Sequence, residues 1–519
     1  MTTTTMQWSP EQEAIFAWFE KSPASPIPPA GNAVVVARAG CGKTTTILEG
    51  IRRAPELRKF VGAFGAKIAR ELRTKMLGRD LGAGRAAEKA ADAEIASRFG
   101  TKIQTFHSLG CGYVFSRWPG IRIDDEGERA EGLARRVLPK TAPDAIIKLV
   151  AKLHSLGREI APHATCGADL LDLAVQFECE PDDDWAREFP TEAICAWAAS
   201  AMHLAAEERP EAIDFSDMIF LPVRLGWMRP RFDLVVVDEA QDLTVAQLEL
   251  AIGSLAPGGR VCVVGDDRQA IYAFRGADCD SLARLRAELS AGELALKTTY
   301  RCGKSIVATA AALVPDFTAA PGNPEGMVAS LTTEQLLGAV GYGDFILSRA
   351  NAPLLPTAMA LLRAGRRARV AGRDIGRGLK ALVGKLARGA ARDSVAAFIA
   401  RVEVWRDREL SRAAGIKRES SRKAKQDFIC DQRDMLVELA EGAVSVGAIG
   451  AAIDALFTDD GLGDAGVVTL SSVHKAKGLE AARVFILADT LREGSIEEEN
   501  IRYVAITRAK RELTFVYGE

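Results

Sequence analysis

The sequence predicts an α/β protein with two parallel-sheet units, each interrupted by a mainly helical insertion. Three observations predict it. Short apolar, β-branched runs recur along the chain with helical periodicity between them, which is the pattern of buried parallel strands. One such run, at 32–37, passes directly into a glycine-rich turn and then a helix. Two long stretches, 114–212 and 377–457, keep helical periodicity with few strand signals.

In chain order, a loop leads to the strand at 32–37, and a second strand at 60–64 precedes a helix through Met76. Residues 84–98 are rich in Ala, Glu and Arg and read as helix. After the first helical block, strands return at 234–237, 260–264 and 294–296. A Pro/Gly-rich segment at 315–326 precedes a second α/β region that begins at 345–347. Apolar runs at 467–470 and 483–487 then lead to a closing helix at 497–510 and a strand at 513–517.

At 519 residues the chain exceeds one ordinary core, so several domains are expected. Its 48% hydrophobic and 26% charged residues are those of a soluble globular protein. No run approaches the roughly 18–20 continuous apolar residues of a membrane span, so no membrane partner is expected. The amino-terminal MTTTTMQWSPEQ lacks a basic region followed by an apolar core, so no secretory signal is expected. The nine cysteines are scattered, odd in number and without a CxxC pair. That argues against zinc or an iron–sulfur cluster and for a reducing, cytoplasmic setting, nucleoid-associated if the source is prokaryotic or phage. Net charge is −2, yet residues 361–425 carry 19 Lys/Arg against 6 Asp/Glu, a local +13 that leaves −15 elsewhere. Such a stretch reads either as a phosphate-contacting surface or as a solvated helical face, and the charge run alone does not choose.

The run FDLVVVDEAQD at 232–242 carries the most chemistry. Its strand delivers Asp238 and Glu239 at the carboxyl end, the edge where open α/β sheets place ligands. Two adjacent acids there suit nucleotide hydrolysis, one holding Mg²⁺ and one polarising water. A solvated turn is the plainer alternative. Gln241 and Asp242 follow at once, which is unusual for a simple strand end. At 37–44, ARAGCGKT fits a phosphate loop in the context that motif requires. Gly40 and Gly42 let backbone N–H groups face phosphate, with Ala39, Cys41 and Thr45 completing the loop. Lys43 would reach the β/γ-phosphates, and Thr44 would join Asp238 on Mg²⁺. ATP or GTP binding follows. In VVGDDRQAIYAFRG at 263–276, Gln269 is placed to sense a γ-phosphate. Tyr272 and Phe274, two apart, are either platforms for bases of a single strand or ordinary core rings.

These segments, together with TFHS at 105–108, TTYR at 298–301, SSVHKAKGLE at 471–480 and YVAITRA at 503–509, occur in a fixed order. In that order they resemble the motif series of the UvrD/Rep/PcrA family, superfamily 1A DNA helicases that translocate 3′ to 5′. The resemblance spans nearly the whole chain. AFGAKIARELR, TYRCGKSI and AGRDIG are similar to the compact branch that includes phage-type and F-box DNA helicases. It implies two RecA-like P-loop motor domains that clamp ATP. The first has parts 1–110 and 213–285 around a helical insertion at 111–212. The second has parts 286–376 and 462–519 around a basic helical insertion at 377–461. It further implies that Gln12 reads adenine, so ATP rather than GTP, that Tyr300 stacks on it, and that Glu480 contacts nucleotide. Arg301 and Arg508 would neutralise developing phosphoryl charge. Phe64, His107, Tyr272, Phe274, Arg275 and His474 fall where the family touches single-stranded DNA. Outside that context the two arginines read as surface cations and the two histidines as satisfied polar residues.

The implied function is an ATP- and Mg²⁺-dependent 3′–5′ DNA helicase. It would act as a monomer on single strands and single/double-strand junctions. A translocase that strips proteins but unwinds poorly alone, and a nucleotide-switched binding module, are the competing readings. Departures from the family wording include Gly65 in AFGAK, Ser472 before the motif histidine and the 500–502 segment. The second insertion is also shorter than in the long members, and the sequence stops just after its last strand, so no further domain is expected. These differences bear on duplex contacts and partners.

Overall fold

The computed structural model describes residues 7–82, 84–124, 128–177, 179–181, 183–271, 281–414, 419–441, 443–457 and 466–518. These fall into two compact units. The first holds 7–37, most of 42–267, and 281–296; the second holds 38–41, 268–271 and the chain from Lys297 onward.

Six strands form the sheet of the first unit: β1 (Ala33–Ala37), β2 (Lys59–Ala63), β3 (Thr101–Thr105), β4 (Phe232–Val237), β5 (Leu255–Gly265) and β6 (Gly292–Leu296). All pair in parallel, in the order β3-β2-β4-β5-β1-β6. The central strands are apolar on both faces because helices cover both. Val34, Val35, Val235, Val236, Val263 and Val264 are all buried, each side chain contributing about 1.5–3 kcal/mol. Register decides function here. Val36 lies opposite Gly265, and Val237 opposite Val263. The carboxyl ends of β1, β5 and β4 are therefore neighbours, and the loops that leave them emerge at one edge.

Two expected boundaries move. Residues 292–296 were expected with the second unit, but Gly292–Leu296 pairs with β1 and completes the first sheet. The helix Phe106–Arg117 runs unbroken through the expected boundary at 110/111. Its Phe106, Leu109 and Tyr113 pack into the first sheet's core, while Val114 enters the core of the insertion. The helices Glu128–Val137, Asp144–Ile160 and Thr191–Glu207 build that insertion around a core of their own. A parallel pair, Arg122–Ile123 with Ala212–Ile213, closes its base. A buried ion cluster ties it to the following helix, Phe215–Arg224. Arg158, fully buried, binds Asp214 at 2.7 Å and Asp217 at 2.6 Å, and Arg129 also binds Asp217.

The second unit repeats the design with β7 (Met327–Thr332), β8 (Phe345–Ser348), β9 (Ala368–Val370), β10 (Val468–Ser472), β11 (Ala481–Leu487) and β12 (Ala509–Tyr517). They pair in parallel in the order β7-β12-β11-β8-β10-β9. The closing helix is Ile496–Ile506, shorter than expected. Arg508 carbonyl already accepts from the Ala481 N–H, so the chain is committed to the sheet by Ala509. The basic insertion is helical, with Arg373–Leu386, Val395–Ala413, Glu419–Glu441 and Val446–Leu456 as its main elements. Its described apolar residues join the core of the sheet. Phe398, Val402, Leu436, Leu439 and Ile449 share one hydrophobic cluster with Ile346, Val370, Val468 and Leu470 of the sheet. Asp431 fastens it further, accepting from the backbone N–H groups of Asn351 and Ala352 at 2.9 and 2.8 Å. Among the described residues, no single helix is long and apolar enough to cross a membrane.

Candidate active site

The phosphate loop leaves β1 and enters the helix Lys43–Arg53. Gly42 caps that helix at φ +77°, and Gly40 stands at φ +69°, conformations that glycine adopts without steric cost. The amino terminus of a helix, where the dipole is positive, is a favourable anion position. Thr44 is half-buried in its first turn, whereas Thr45 is exposed and Ala39 and Cys41 are buried. One turn on, buried Thr46 accepts at Oγ1 from Gln12 Nε2 at 2.9 Å. Gln12 Oε1 accepts from the Ser9 N–H at 3.0 Å in a capping box. The Gln12 amide is thus held in one orientation beside the phosphate-loop helix.

Strand β4 brings Asp238 and Glu239 to the same edge. Lys43 Nζ lies 2.5 Å from Glu239 Oε1 and 3.3 Å from Asp238 Oδ1. Asp238 is buried, and its Oδ1 accepts from the Glu239 N–H at 2.9 Å. Burial pushes its carboxyl up, Lys43 opposes the rise, and the charge of Glu239 reinforces it. Gln241 donates to Glu239 Oε2 at 2.7 Å, a contact that the sequence did not announce.

The second unit gathers the remaining expected nucleotide residues. Glu480 and Arg508 immediately precede β11 and β12, whose first residues Ala481 and Ala509 are in register. Arg301 Nε lies 2.6 Å from Glu480 Oε2, and Lys510 Nζ 2.6 Å from its Oε1. Burial works to raise the Glu480 carboxyl, but Lys510 and Arg301 outweigh it and hold it below the usual range. Arg508 is fully buried and donates only to neutral oxygens: the Val504 carbonyl at 3.0 Å, the Leu479 carbonyl at 3.2 Å and Thr507 Oγ1 at 3.3 Å. Burial, reinforced by nearby Arg301, lowers its pKa to about 10, so it stays charged at neutral pH. Tyr300 is 48% exposed, its ring open to a stacking partner. Gln269 belongs to the 268–271 segment of this unit, where its carbonyl accepts from Lys477 Nζ at 2.7 Å.

Of the expected DNA-contacting residues, Phe64 is 42% exposed just past the end of β2. His107 opens the helix after β3, with Phe215 edge-on at 5.9 Å. Burial lowers the His107 pKa against the pull of Glu159. Phe215 is itself 55% exposed, an aromatic that the sequence analysis did not select. Its sequence signal was a phenylalanine directly after Asp214, the capping residue of the helix that it opens. His474 follows the carboxyl end of β10, and the 473–480 connection returns to the amino end of β11. One short loop thus carries both His474 and Glu480. Tyr272, Phe274 and Arg275 lie outside the described residues.

Residues 20–290, about half the chain, match the model of the UvrD/REP helicase N-terminal domain. The chain belongs to the UvrD/REP helicase family. Residues 467–516 match the UvrD-like helicase C-terminal domain. Family membership fits the two parallel sheets and the phosphate loop, and it implies use of ATP. Curated relatives include the ATP-dependent DNA helicase Rep of Escherichia coli, 25% identical over 60% of this chain and 44% of its own length. DNA helicase II of Haemophilus influenzae is 23% identical over 55% of the chain and 38% of its length. The ATP-dependent DNA helicase PcrA of Staphylococcus aureus is 33% identical over 19% of the chain and 15% of its length. The chain therefore spans less than half the length of the relatives it matches.

Proposed function

We propose that this family member is an ATP-dependent DNA helicase that moves 3′ to 5′ along single-stranded DNA and opens duplex at single/double-strand junctions. The observation that carries the reading is the convergence of Lys43, Asp238 and Glu239, made by the β1-β5-β4 adjacency at the ligand-binding edge of the first sheet. Lys43 binds the β/γ-phosphates, Glu239 orients and deprotonates the attacking water, and Gln269 senses the γ-phosphate. Gln12 reads the adenine, Tyr300 supplies the ring that stacks on it, and loop residues 39–45 bind the phosphates. Arg301 and Arg508 neutralise charge on the transferring phosphoryl group. Arg508 suits that role physically, since a buried guanidinium bonded only to neutral oxygens gains most from an arriving anion.

Thr44 and Asp238 would hold Mg²⁺. A buried carboxylate and a hydroxyl are the hard oxygen donors it takes. Among the described residues no group of three His, Cys, Asp or Glu forms a metal cage. When bound, Mg²⁺ neutralises phosphate charge.

Phe64, His107 and His474 serve as contacts to the strand, with Tyr272, Phe274 and Arg275. The exposed Phe64 and the His107–Phe215 pair support a stacking track on the first unit. A strand-displacement assay with 3′- and 5′-tailed duplexes tests the reading. ATP-dependent opening of the 3′-tailed substrate alone is expected. Streptavidin displacement without unwinding would favour a translocase, and neither activity would leave only a nucleotide-switched binder.

A further inference from the structure

The 3₁₀ turn Ala240–Asp242 follows β4 and opens on Glu239, whose φ of +52° lies in the left-handed region. A glutamate holds that conformation only under constraint from its surroundings. Its carboxylate also needs constraint, because the terminal torsion of a glutamate is broad and nearly two-fold. Gln241 meets the second need. Its side chain is 1% exposed, Nε2 donates to Glu239 Oε2 at 2.7 Å, and Oε1 accepts from the Asp266 N–H at 3.3 Å. Gly265 makes the approach feasible, since a Cβ there would stand 2.6 Å from Gln241 Oε1. One amide therefore spans the ends of β4 and β5, with its acceptor on rigid backbone and its donor on the carboxylate.

The plain alternative is a buried amide satisfying its own hydrogen bonds. The division of contacts goes further than that. Glu239 Oε2 is held by Gln241 while Oε1 faces Lys43 Nζ and the phosphate loop. Fixing one oxygen through a charge-assisted bond sets the direction of the other.

We infer that Gln241 is a positioning residue for hydrolysis, fixing the rotation of the Glu239 carboxylate so that its Oε1 is presented to the attacking water. The inference rests on the ATPase reading above. Gln241→Glu separates its two contacts, because it keeps the size and an oxygen for the Asp266 N–H but removes the donor to Glu239. The expected result is a fall of about 10- to 100-fold in kcat of DNA-stimulated ATP hydrolysis. KM and affinity for a non-hydrolysable ATP analogue should stay within about two-fold. Placed in a Glu239→Gln background, the same change should cost nothing more, since its effect passes through that carboxylate. An unchanged kcat, an equal loss in both backgrounds, or a loss confined to ATP affinity would each overturn the assignment. If the glutamate variant does not fold, Gln241→Leu carries the same test, with lowered kcat at unchanged KM expected and unchanged kcat overturning it. A wild-type protein without ATPase activity would sink the underlying reading as well. An active wild type with a dead Glu239→Gln and a normal Gln241→Glu would sink this inference alone.

Discussion

Lys43 Nζ sits 2.5 Å from Glu239 Oε1, so the cation expected to bind phosphate and the acid expected to activate water are direct partners. The pairing gives the two residues separable roles. On the proposed function, phosphate would compete with Glu239 for Lys43, and once Lys43 turned to phosphate the carboxylate would be released to accept a proton from water. Lys43→Ala should abolish both ATP binding and turnover. Glu239→Gln should retain ATP binding while lowering DNA-stimulated turnover about 10²- to 10⁴-fold. Equilibrium binding of a fluorescent ATP analogue alongside steady-state ATPase checks both. Full turnover by the purified Glu239→Gln protein would remove Glu239 as the base.

Arg301 and Arg508 differ in what holds them, and their variants should differ accordingly. Arg301 is paired with Glu480, whereas Arg508 is buried among neutral oxygens. Arg301→Ala should lower kcat by about 10³-fold or more with ATP affinity retained, and the protein should melt near the wild-type temperature. Arg508→Ala should lower kcat comparably and also reduce stability, because it empties a packed site and removes three buried hydrogen bonds. Single-turnover hydrolysis together with thermal melts separates the two.

The convergence of Lys43 with Asp238 and Glu239 was legible because its signals are local: a strand, two glycines and a lysine at 37–43, and two acids at the end of β4. What the sequence concealed depends on pairing across long separations. Gln241 meets Asp266 only because β4 and β5 are adjacent in a particular register. Asp431 grips Asn351 and Ala352 across about 80 residues. Residues 294–296 were readable as a strand, but which sheet they join is set by pairing with β1, and that pairing moved a unit boundary. The edge strand Met327–Thr332 is largely exposed and lacks the apolar run that betrays buried strands.

His154 gives the first insertion a pH dependence. It is fully buried, its Nε2 bonds the Ala130 carbonyl at 2.9 Å, and Arg158 lies close by. Burial, reinforced by the Arg158 charge, lowers its pKa to about 3. The fold therefore favours neutral imidazole, and the unfolded chain binds the extra proton below its ordinary value of about 6.5. Its contribution is complete above that value and is lost as pH falls from about 6.5 toward 3, at up to about 1.4 kcal/mol per pH unit. Urea melts between pH 7.5 and 5 should show this slope, and His154→Phe should flatten it. An equal slope in that variant would assign the dependence to other groups.

The Arg158 cluster should be worth more to lose than its net contribution suggests. Removing the cation leaves Asp214 and Asp217 buried, with only Arg129 to offset two carboxylates. Arg158→Met should destabilise the protein by about 3–5 kcal/mol. Replacing the charged set together, with Arg158→Met, Asp214→Asn and Asp217→Asn, should recover part of that loss. Denaturant midpoints of both variants provide the comparison.

The basic insertion presents a testable face. On the helix Arg373–Leu386, Leu379, Val383 and Leu386 point into the shared core, while Arg373, Arg377 and Lys380 are exposed at i, i+4 and i+7 spacing. Lys380 is engaged by Asp454 at 2.7 Å, and exposed Arg377, Arg388 and Arg392 carry the expectation of phosphate contact. Deleting the insertion is not a clean test, because its helices complete the core under β8 and β10. Point changes are. Arg377→Ala, Arg388→Ala and Arg392→Ala together should weaken binding to a tailed duplex at 100 mM salt, a condition of roughly one Debye length of 10 Å. The slope of log affinity against log salt should shrink by about 0.7–0.9 for each lost phosphate contact. ATPase on short single strands should be retained, since these residues are remote in sequence from every nucleotide-contacting motif. An unchanged slope would make the run a solvated face, its positive charge then serving solubility rather than DNA.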